Sequence, residues 1–239
     1  VPTHVTSLGQ AELEEWVDSG VVRFVTLAPE LPGALDATTL LTGGGVVVSA
    51  GHTAMTPADL AAARSAGLSC ATHLFNAMAP FSHRAPGPIG AVLADDDLVA
   101  GLICDGLHVD PVAVRMAWRA LGPSRLALVS DASPALGMPY GRMQLAGFEI
   151  TSDESGVRTV DGVLAGSALA LDQAVRNLMT FSGCCLVDAL ACVTSTPADL
   201  LGLHDRGRLE VGTRADLTIL DHDGALVATV VGGTTVWER

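Results

Sequence analysis

Four polar side chains in the sequence follow short apolar runs, and their types are those that bind metals and transfer protons. His52, His73, His108 and Asp131 each come after a β-rich run and before a segment with a helical pattern. A single histidine is more often a helix cap or a packed ring, but four such residues at successive strand ends favour a site. Two imidazoles with a carboxylate are typical of hydrolytic zinc sites with an open position for water. The pattern predicts a metal hydrolase in which His52 and His73 bind metal, Asp131 handles a proton and His108 polarises a carbonyl.

Other candidate groups have plainer explanations. The acidic run at residues 95–97 is typical of a solvated turn, and Ser130 lacks the G-x-S-x-G surroundings of a serine hydrolase. The glycines at 43–45 come before a strand rather than after one, which disfavours a phosphate-binding loop. Glu30 ends a strand-like run, and two roles stay open for it: metal ligand, or support for a ligand.

Strand-like runs alternate with helical segments over most of the chain. Such alternation implies a parallel sheet with right-handed crossovers, and polar residues at the carboxyl ends of the strands favour a barrel over an open doubly wound sheet. The predicted helices include residues 11–17 and 112–121, and the predicted strands are 21–27, 45–49, 69–72, 98–104 and 126–129.

The tetrapeptide T-P-A-D occurs twice, at residues 56–59 and 196–199. Threonine at the N-cap, proline at the first helical position and an acid two residues later form a helix-start signal. We expect both copies to begin a helix in the same way, with the second helix ending at Gly202.

Beyond residue 205 the pattern changes to short strands with turns. Strands are predicted at 216–220, 226–231 and 234–237, with a hairpin turn at 221–224. A sheet of so few strands is only marginally stable by itself, which implies that it pairs with strands from elsewhere. We predict a barrel domain at 1–205 and part of a small β-sandwich domain at 206–239.

Composition limits the function classes. The chain has 239 residues and a net charge of −13, so it lacks the basic surface that nucleic acid requires. No apolar run approaches the ~20 residues of a membrane helix. Five cysteines without C-x-x-C spacing favour a reduced, cytoplasmic compartment.

Several motifs occur in the order found in one family, and they cover nearly the whole chain. On them the sequence resembles the N-acetylglucosamine-6-phosphate deacetylases of the amidohydrolase superfamily. T-H-L-F-N-A-M and D-G-L-H-V are the most specific, whereas the ending is shared more widely. The motifs are V-T-L-A-P-E (25–30), V-V-S-A-G-H-T (47–53), T-H-L-F-N-A-M (72–78), R-A-P-G-P-I-G-A (84–91), D-G-L-H-V (105–109), L-V-S-D-A (128–132), L-A-G-S (164–167) and R-G-R-L-E-V-G-T-R-A-D-L (206–217).

The resemblance implies a TIM-like (β/α)8 barrel that removes the acetyl group from a phosphorylated amino sugar. It also implies a divalent metal as cofactor, with zinc as the expected ion. It also implies a homodimer, in which Arg84 reaches the phosphate bound by the neighbouring subunit. His52 and His73 become the metal ligands, and Asp131 the catalytic acid and base. The implied substrate contacts are Thr3, His4, Asn76, Ala77, Arg84, Asp105, His108, Leu164, Ala165 and Gly166.

One departure concerns the metal. The family's third ligand is a glutamate in an E-G-P motif, which this sequence does not contain, and Glu30 belongs to a different motif. We therefore expect that the N-terminal part of the family pattern is missing, and that this chain binds metal weakly. An amidohydrolase for another N-acyl amine or cyclic amide, and a non-catalytic barrel, remain alternatives.

Overall fold

The computed structural model describes residues 9–222 and 224–239. By its internal contacts the chain divides into two compact units, Val1–Ala100 and Gly101–Arg239. The boundary falls inside one strand of a five-stranded parallel sheet, whose order follows the sequence. No helix among the described residues is both long enough and apolar enough to span a bilayer.

The first unit alternates helix and strand as expected. Helix α1 ends at Gly20, a left-handed residue whose N–H bonds back to Val17, so the predicted stop is confirmed. The strands are shorter than predicted and lie within or beside the predicted ranges. The elements are α1 (Gln10–Ser19), β1 (Phe24–Leu27), α2 (Ala34–Gly43), β2 (Val47–Ala50), α3 (Pro57–Ser65), β3 (Cys70–Ala71), α4 (Gly87–Ala94) and the start of β4 (Val99–Leu102).

Parallel pairing in the first unit is fixed by apolar residues on adjacent strands. Strand β1 pairs with β2 through Phe24 and Val47, and β3 lies between β2 and β4. Val48, Ala50 and Ala71 are fully buried. Parallel strands covered on both faces read as continuous apolar runs, and only the residues just past them can be polar.

The described part of the second unit contains four helices, two three-stranded antiparallel sheets and the last strands of the parallel sheet. Helix α5 is interrupted at Gly122, where φ is 63° and ψ is −175°, just before Pro123. The elements are α5 (Pro111–Arg125), β5 (Leu126–Leu128), β6 (Gly141–Leu145), β7 (Phe148–Asp153), β8 (Gly156–Thr159), α6 (Leu171–Ser182), α7 (Leu186–Ala191), α8 (Ser195–Leu200), β9 (Leu217–Leu220), β10 (Leu226–Val231) and β11 (Thr234–Glu238).

The meander of β6, β7 and β8 was not among the predicted elements. Leu145 pairs with Phe148 around a tight turn in which Ala146 and Gly147 both have positive φ. Ile150 and Val157 are buried together on one face of this sheet. The alternation of apolar Phe148 and Ile150 with polar residues at 149 and 151 is the sequence signal that could have indicated β7.

The C-terminal strands are confirmed almost residue for residue. Strands β9, β10 and β11 form an antiparallel sheet in the order β11-β10-β9. The predicted domain boundary near residue 205 stays a prediction.

The two T-P-A-D segments differ in structure. Thr56 caps α3, accepting a hydrogen bond from the Asp59 N–H while the Asp59 side chain accepts one from the Thr56 N–H. In the second segment the prediction was wrong: α8 begins at Ser195, so Thr196 lies inside the first turn. Its hydroxyl donates to the Pro123 carbonyl oxygen at 2.5 Å.

Candidate active site

The parallel sheet brings His52 and His73 together. His52 follows β2 and His73 follows β3, and their Nε2 atoms are 3.1 Å apart. The ring centroids are 4.9 Å apart with an interplanar angle of 72°. His73 is buried, whereas His52 is exposed. Adjacent parallel strands therefore bring the two imidazole nitrogens close together.

Both histidines have left-handed backbone conformations, with φ of 50° at His52 and 33° at His73. Such values are uncommon for residues other than glycine, and they concentrate at functional sites. Gly51 precedes His52, and a Cβ there would lie 2.6 Å from Thr26 Cγ2 and 3.1 Å from Thr72 Cβ. The glycine of G-H-T is thus required by close packing between strand ends.

The histidine pair fits two ligand positions of one metal ion. Zinc–nitrogen bonds of about 2.0–2.1 Å in tetrahedral geometry place two ligand nitrogens roughly 3.3 Å apart. The observed Nε2–Nε2 separation is close to that value. Residues 9–222 and 224–239 contain no group of three or more side chains arranged to hold a metal.

Glu30 forms hydrogen bonds with the loop that carries His52. Its Oε2 accepts a hydrogen bond from Thr53 Oγ1 at 2.5 Å, and its Oε1 accepts one from the Ala54 N–H at 2.7 Å. Of the two roles left open by the sequence, these contacts favour support over metal ligation. Thr53 was missed by the sequence analysis, although its place directly after His52 was a usable signal.

In the second unit, Asp105 and His108 form a hydrogen-bonded pair. Asp105 Oδ2 lies 2.6 Å from His108 Nδ1, and Asp105 Oδ1 accepts from the N–H groups of Leu107 and His108. Burial acts to raise the pKa of Asp105, but hydrogen bonds from the His108 side chain and from both backbone amides outweigh it. The pKa of Asp105 therefore lies below its usual value.

The segment before this pair is held by a residue that the sequence analysis also missed. Asn177 on α6 donates through Nδ2 to the Cys104 carbonyl oxygen at 2.7 Å. Gly106 has a φ of 78°, which suits the turn between Asp105 and His108. The Asp105–His108 pair is therefore built on an anchored turn.

Asp131 is exposed, and its main chain is bound to the L-A-G-S segment. The Ser167 N–H donates to the Asp131 carbonyl oxygen at 2.7 Å, and the Ser133 N–H donates to the Ser167 carbonyl oxygen at 2.8 Å. A Cβ on Gly166 would lie 2.9 Å from the Asp131 carbonyl oxygen. The fold thus brings Gly166 and Ser167 to the loop that carries Asp131, whereas Leu164 and Ala165 pair with Arg158 and Val157 of β8.

Of the remaining predicted site residues, Asn76 is half-buried, Ala77 and Arg84 are exposed, and two lie outside the described part of the chain. Asn76 donates its side-chain N–H groups to the carbonyls of His73 and Leu74, and Ala77 has a φ of 51°. Arg84 is exposed in the short bridge that joins Ser82 to Ala85. Thr3 and His4 lie outside the described residues.

The acidic run at residues 95–97 forms a turn, as expected. Asp95 Oδ1 accepts hydrogen bonds from the N–H groups of Asp97 and Leu98, which closes a turn. Arg64 forms ion pairs with Asp95 and Asp97, both at 3.3 Å.

With this geometry, the chain belongs to the amidohydrolase family. The family model matches residues 10–236. Members of this family are metal-dependent, in accord with the histidine pair.

The chain is also similar to particular members. It is 40% identical over 212 residues to the N-acetylglucosamine-6-phosphate deacetylase of Lysinibacillus sphaericus, covering 89% of this chain and 55% of that protein. It is 42% identical over 232 residues to the human enzyme of the same name, covering 91% of this chain and 54% of the relative. The chain thus spans about half the length of these relatives.

Solved structures give the same likeness. The deacetylase of Thermotoga maritima superposes with a TM-score of 0.94 at 33% identity, covering 100% of this chain and 65% of that one. A variant of the Mycobacterium smegmatis enzyme, in complex with N-acetyl-D-glucosamine-6-phosphate, gives 0.92 at 37% identity, covering 99% and 64%. The expected fold class, a TIM-like barrel of the amidohydrolase type followed by a small antiparallel β portion, is confirmed.

Proposed function

We propose that this chain contributes most of the catalytic residues of an enzyme that hydrolyses the acetamide of N-acetylglucosamine 6-phosphate to glucosamine 6-phosphate and acetate. The observation that carries the proposal is the meeting of His52 and His73 Nε2 atoms at 3.1 Å on adjacent strand ends. Support comes from relatives that bear the name of this activity at about 40% identity.

His52 and His73 are the residues that would hold the metal, for which we propose Zn²⁺. A bound divalent ion polarises the amide carbonyl and makes water a stronger nucleophile at neutral pH. Imidazole suits zinc among the common biological metals. Because Glu30 is engaged by Thr53 and Ala54, we assign it no place among the ligands.

Asp131 is proposed as the general base and then the general acid. Its carboxylate accepts a proton from the attacking water, and the same proton passes to the departing amine nitrogen. Its position on an exposed loop beyond a buried strand leaves the carboxylate open to substrate.

His108 is proposed to donate a hydrogen bond from Nε2 to the carbonyl oxygen of the acetyl group. Asp105 accepts at Nδ1, which fixes the ring orientation and stabilises the positively charged imidazolium. Charge that develops on the substrate oxygen is then met by a preorganised donor.

The sugar phosphate is proposed to be bound by residues that the resemblance indicated. Arg84 offers a planar fork of donors suited to a phosphate, and its exposure fits a role across a homodimer interface. Asn76, Ala77 and the backbone of 164–166 are proposed to contact the sugar, together with Thr3 and His4. We place the reaction in the cytoplasm.

The test measures acetate released by the purified chain in excess zinc, from N-acetylglucosamine 6-phosphate and from the sugar without phosphate. We expect turnover of the phosphorylated sugar, its loss in His73→Ala, and none of that loss in the matched surface variant His204→Ala. Equal turnover of both sugars would favour another N-acyl amine, and binding without acetate release would favour a non-catalytic barrel. Zinc titration checks the expected weak metal binding.

A further inference from the structure

Glu30 makes two short contacts to consecutive residues of the loop that carries His52. The acceptor atoms are both carboxylate oxygens, and the donors are the Thr53 hydroxyl and the Ala54 N–H. Glu30 is itself only partly exposed, and Thr53 is buried. Hydrogen bonds to a carboxylate are stronger than those between neutral groups, so these contacts hold the loop firmly against the end of β1.

Thr53 also forms a hydrogen bond with the loop that carries His73. The Thr53 carbonyl oxygen accepts a hydrogen bond from the Ala79 N–H at 3.1 Å. The Thr53 hydroxyl also accepts one from the Met55 N–H at 2.9 Å while it donates to Glu30. One residue therefore joins the three loops that follow β1, β2 and β3.

We propose that Glu30 and Thr53 are positioning residues that set the separation of the His52 and His73 imidazoles for metal binding. This inference rests on the proposed function, because it assigns the two histidines to a metal. Glu30 acts through Thr53 and Ala54 and does not touch the metal or the substrate.

The backbone conformations of the two histidines explain why their loops need such supporting contacts. His52 and His73 are held at positive φ, and strained conformations persist only where the surroundings over-determine them. When the Glu30 contacts are weakened, the His52 loop gains freedom to relax toward ordinary φ values, and Nε2 moves with it. Substitution of a group that orients a metal ligand in this way typically lowers metal affinity by about 10–100-fold.

The first measurement is zinc affinity by competition with a chelator, for Glu30→Gln and for Glu15→Gln. Glu30→Gln keeps the size of the side chain but removes the charge and one acceptor, whereas Glu15→Gln removes the same charge from the exposed face of α1. We expect zinc affinity to fall at least ~10-fold in Glu30→Gln and to stay unchanged in Glu15→Gln. Unchanged affinity in Glu30→Gln would overturn the inference.

The second measurement is hydrogen exchange without zinc, which keeps this inference separate from the proposed function. In Glu30→Gln we expect exchange to accelerate in peptides covering 51–56 and 72–79, with α5 unchanged. Acceleration confined to 51–56 would overturn the link to the His73 loop. If the unsubstituted chain bound no zinc, the proposed metal role would fail, and the exchange pattern would still decide whether Glu30 positions both loops.

Thr53→Val provides the second variant, because it preserves volume and removes only the hydroxyl. It should reproduce both effects of Glu30→Gln, and combining the two substitutions should add little to either alone. Fully additive effects of Glu30→Gln and Thr53→Val would show that the two residues act separately, which would overturn their joint role.

Discussion

His52 in the first unit and Asp131 in the second have the same backbone φ of 50°, and both stand just beyond a buried parallel strand. Their loops are fastened differently. The His52 loop is held by a side chain, through the Glu30 carboxylate. The Asp131 loop is held by main-chain hydrogen bonds with Ser167, and also by the Ser133 and Ser167 hydroxyls, which donate to the Ser167 and Ser130 carbonyl oxygens.

The difference determines which substitutions each loop tolerates. A side-chain fastening can be removed by one substitution at a distance from the reacting group. None of the contacts named for the Asp131 loop uses the Asp131 carboxylate, so a change at that side chain leaves them in place. The Asp131 loop should therefore keep its shape when its own carboxylate is changed, whereas the His52 loop depends on Glu30.

The largest effect is expected from Asp131→Asn, which separates chemistry from loop structure. We expect turnover to fall by about 10³-fold or more, because the amide cannot accept the proton from water. Substrate affinity and melting temperature should stay near those of the unsubstituted chain, because the loop contacts use the Asp131 carbonyl. Acetate release, calorimetric binding and thermal melting measure these three quantities, and near-normal turnover would contradict the assigned role.

Gly166→Ala tests the close main-chain contact between residues 166–167 and Asp131. Gly166 has a φ of 64°, and its Cβ would meet the Asp131 carbonyl oxygen at 2.9 Å. We expect a loss of about 2–4 kcal/mol in the free energy of unfolding, from left-handed strain together with the clash. Denaturant unfolding measures it.

Gly162→Ala is the matched control for that substitution. Gly162 has a φ of 80°, but no atom lies within 4 Å of its Cβ position. It should lose only the strain contribution, about 1–2 kcal/mol. Equal losses in the two alanine variants would show that the approach of Gly166 to Asp131 contributes nothing.

Asp105→Asn tests a third loop, in which a side chain binds its own turn. The folded-state pKa of Asp105 lies below the ordinary value of 3.8, so its ionised form stabilises the fold. That contribution is complete above about pH 5 and is lost as pH falls through the folded pKa. We expect Asp105→Asn to flatten the decline of unfolding free energy between about pH 5 and 3. Asp96→Asn, at an exposed turn position, should not.

The smallest effect is expected from Thr56→Ala, at the far end of the His52 loop. Thr56 caps α3 and exchanges hydrogen bonds with Asp59. Its loss should lower the free energy of unfolding by about 1 kcal/mol, measured by denaturant unfolding. A much larger loss would mean that the cap also fastens the His52 loop.

Much of this arrangement was predictable from local pattern. Apolar runs that end in His52, His73 and Asp131 indicated parallel strands with polar residues at their carboxyl ends, because side chains inside such strands are buried on both faces. The C-terminal hairpins followed from turn residues between β-branched runs. The β6–β8 meander was missed because its strands are short and partly exposed.

The polar residue types at the strand ends could be read from the sequence, but the contacts that support them could not. That His52 and His73 meet follows from adjacent strands, but the pairing order of the strands is a tertiary property. Glu30 had two open roles in the sequence, and only its contacts with Thr53 and Ala54 favour one of them. The approach of Gly166 and Ser167 to Asp131 joins residues more than thirty positions apart, which no local pattern reports.

The two T-P-A-D segments show where the sequence alone is sufficient. Both copies encode a turn of helix, and both lie at or in one. At Thr56 the local signal also determined the cap. At Thr196 the hydroxyl instead donates to the Pro123 carbonyl oxygen, and Asp199 pairs with Arg208 at 2.5 Å.

The sequence by itself thus determined the elements, the residue types at the strand ends and the amidohydrolase pattern. Tertiary structure decided which partners those residues bind, because a hydroxyl or carboxylate takes the partner that the fold places within hydrogen-bond distance.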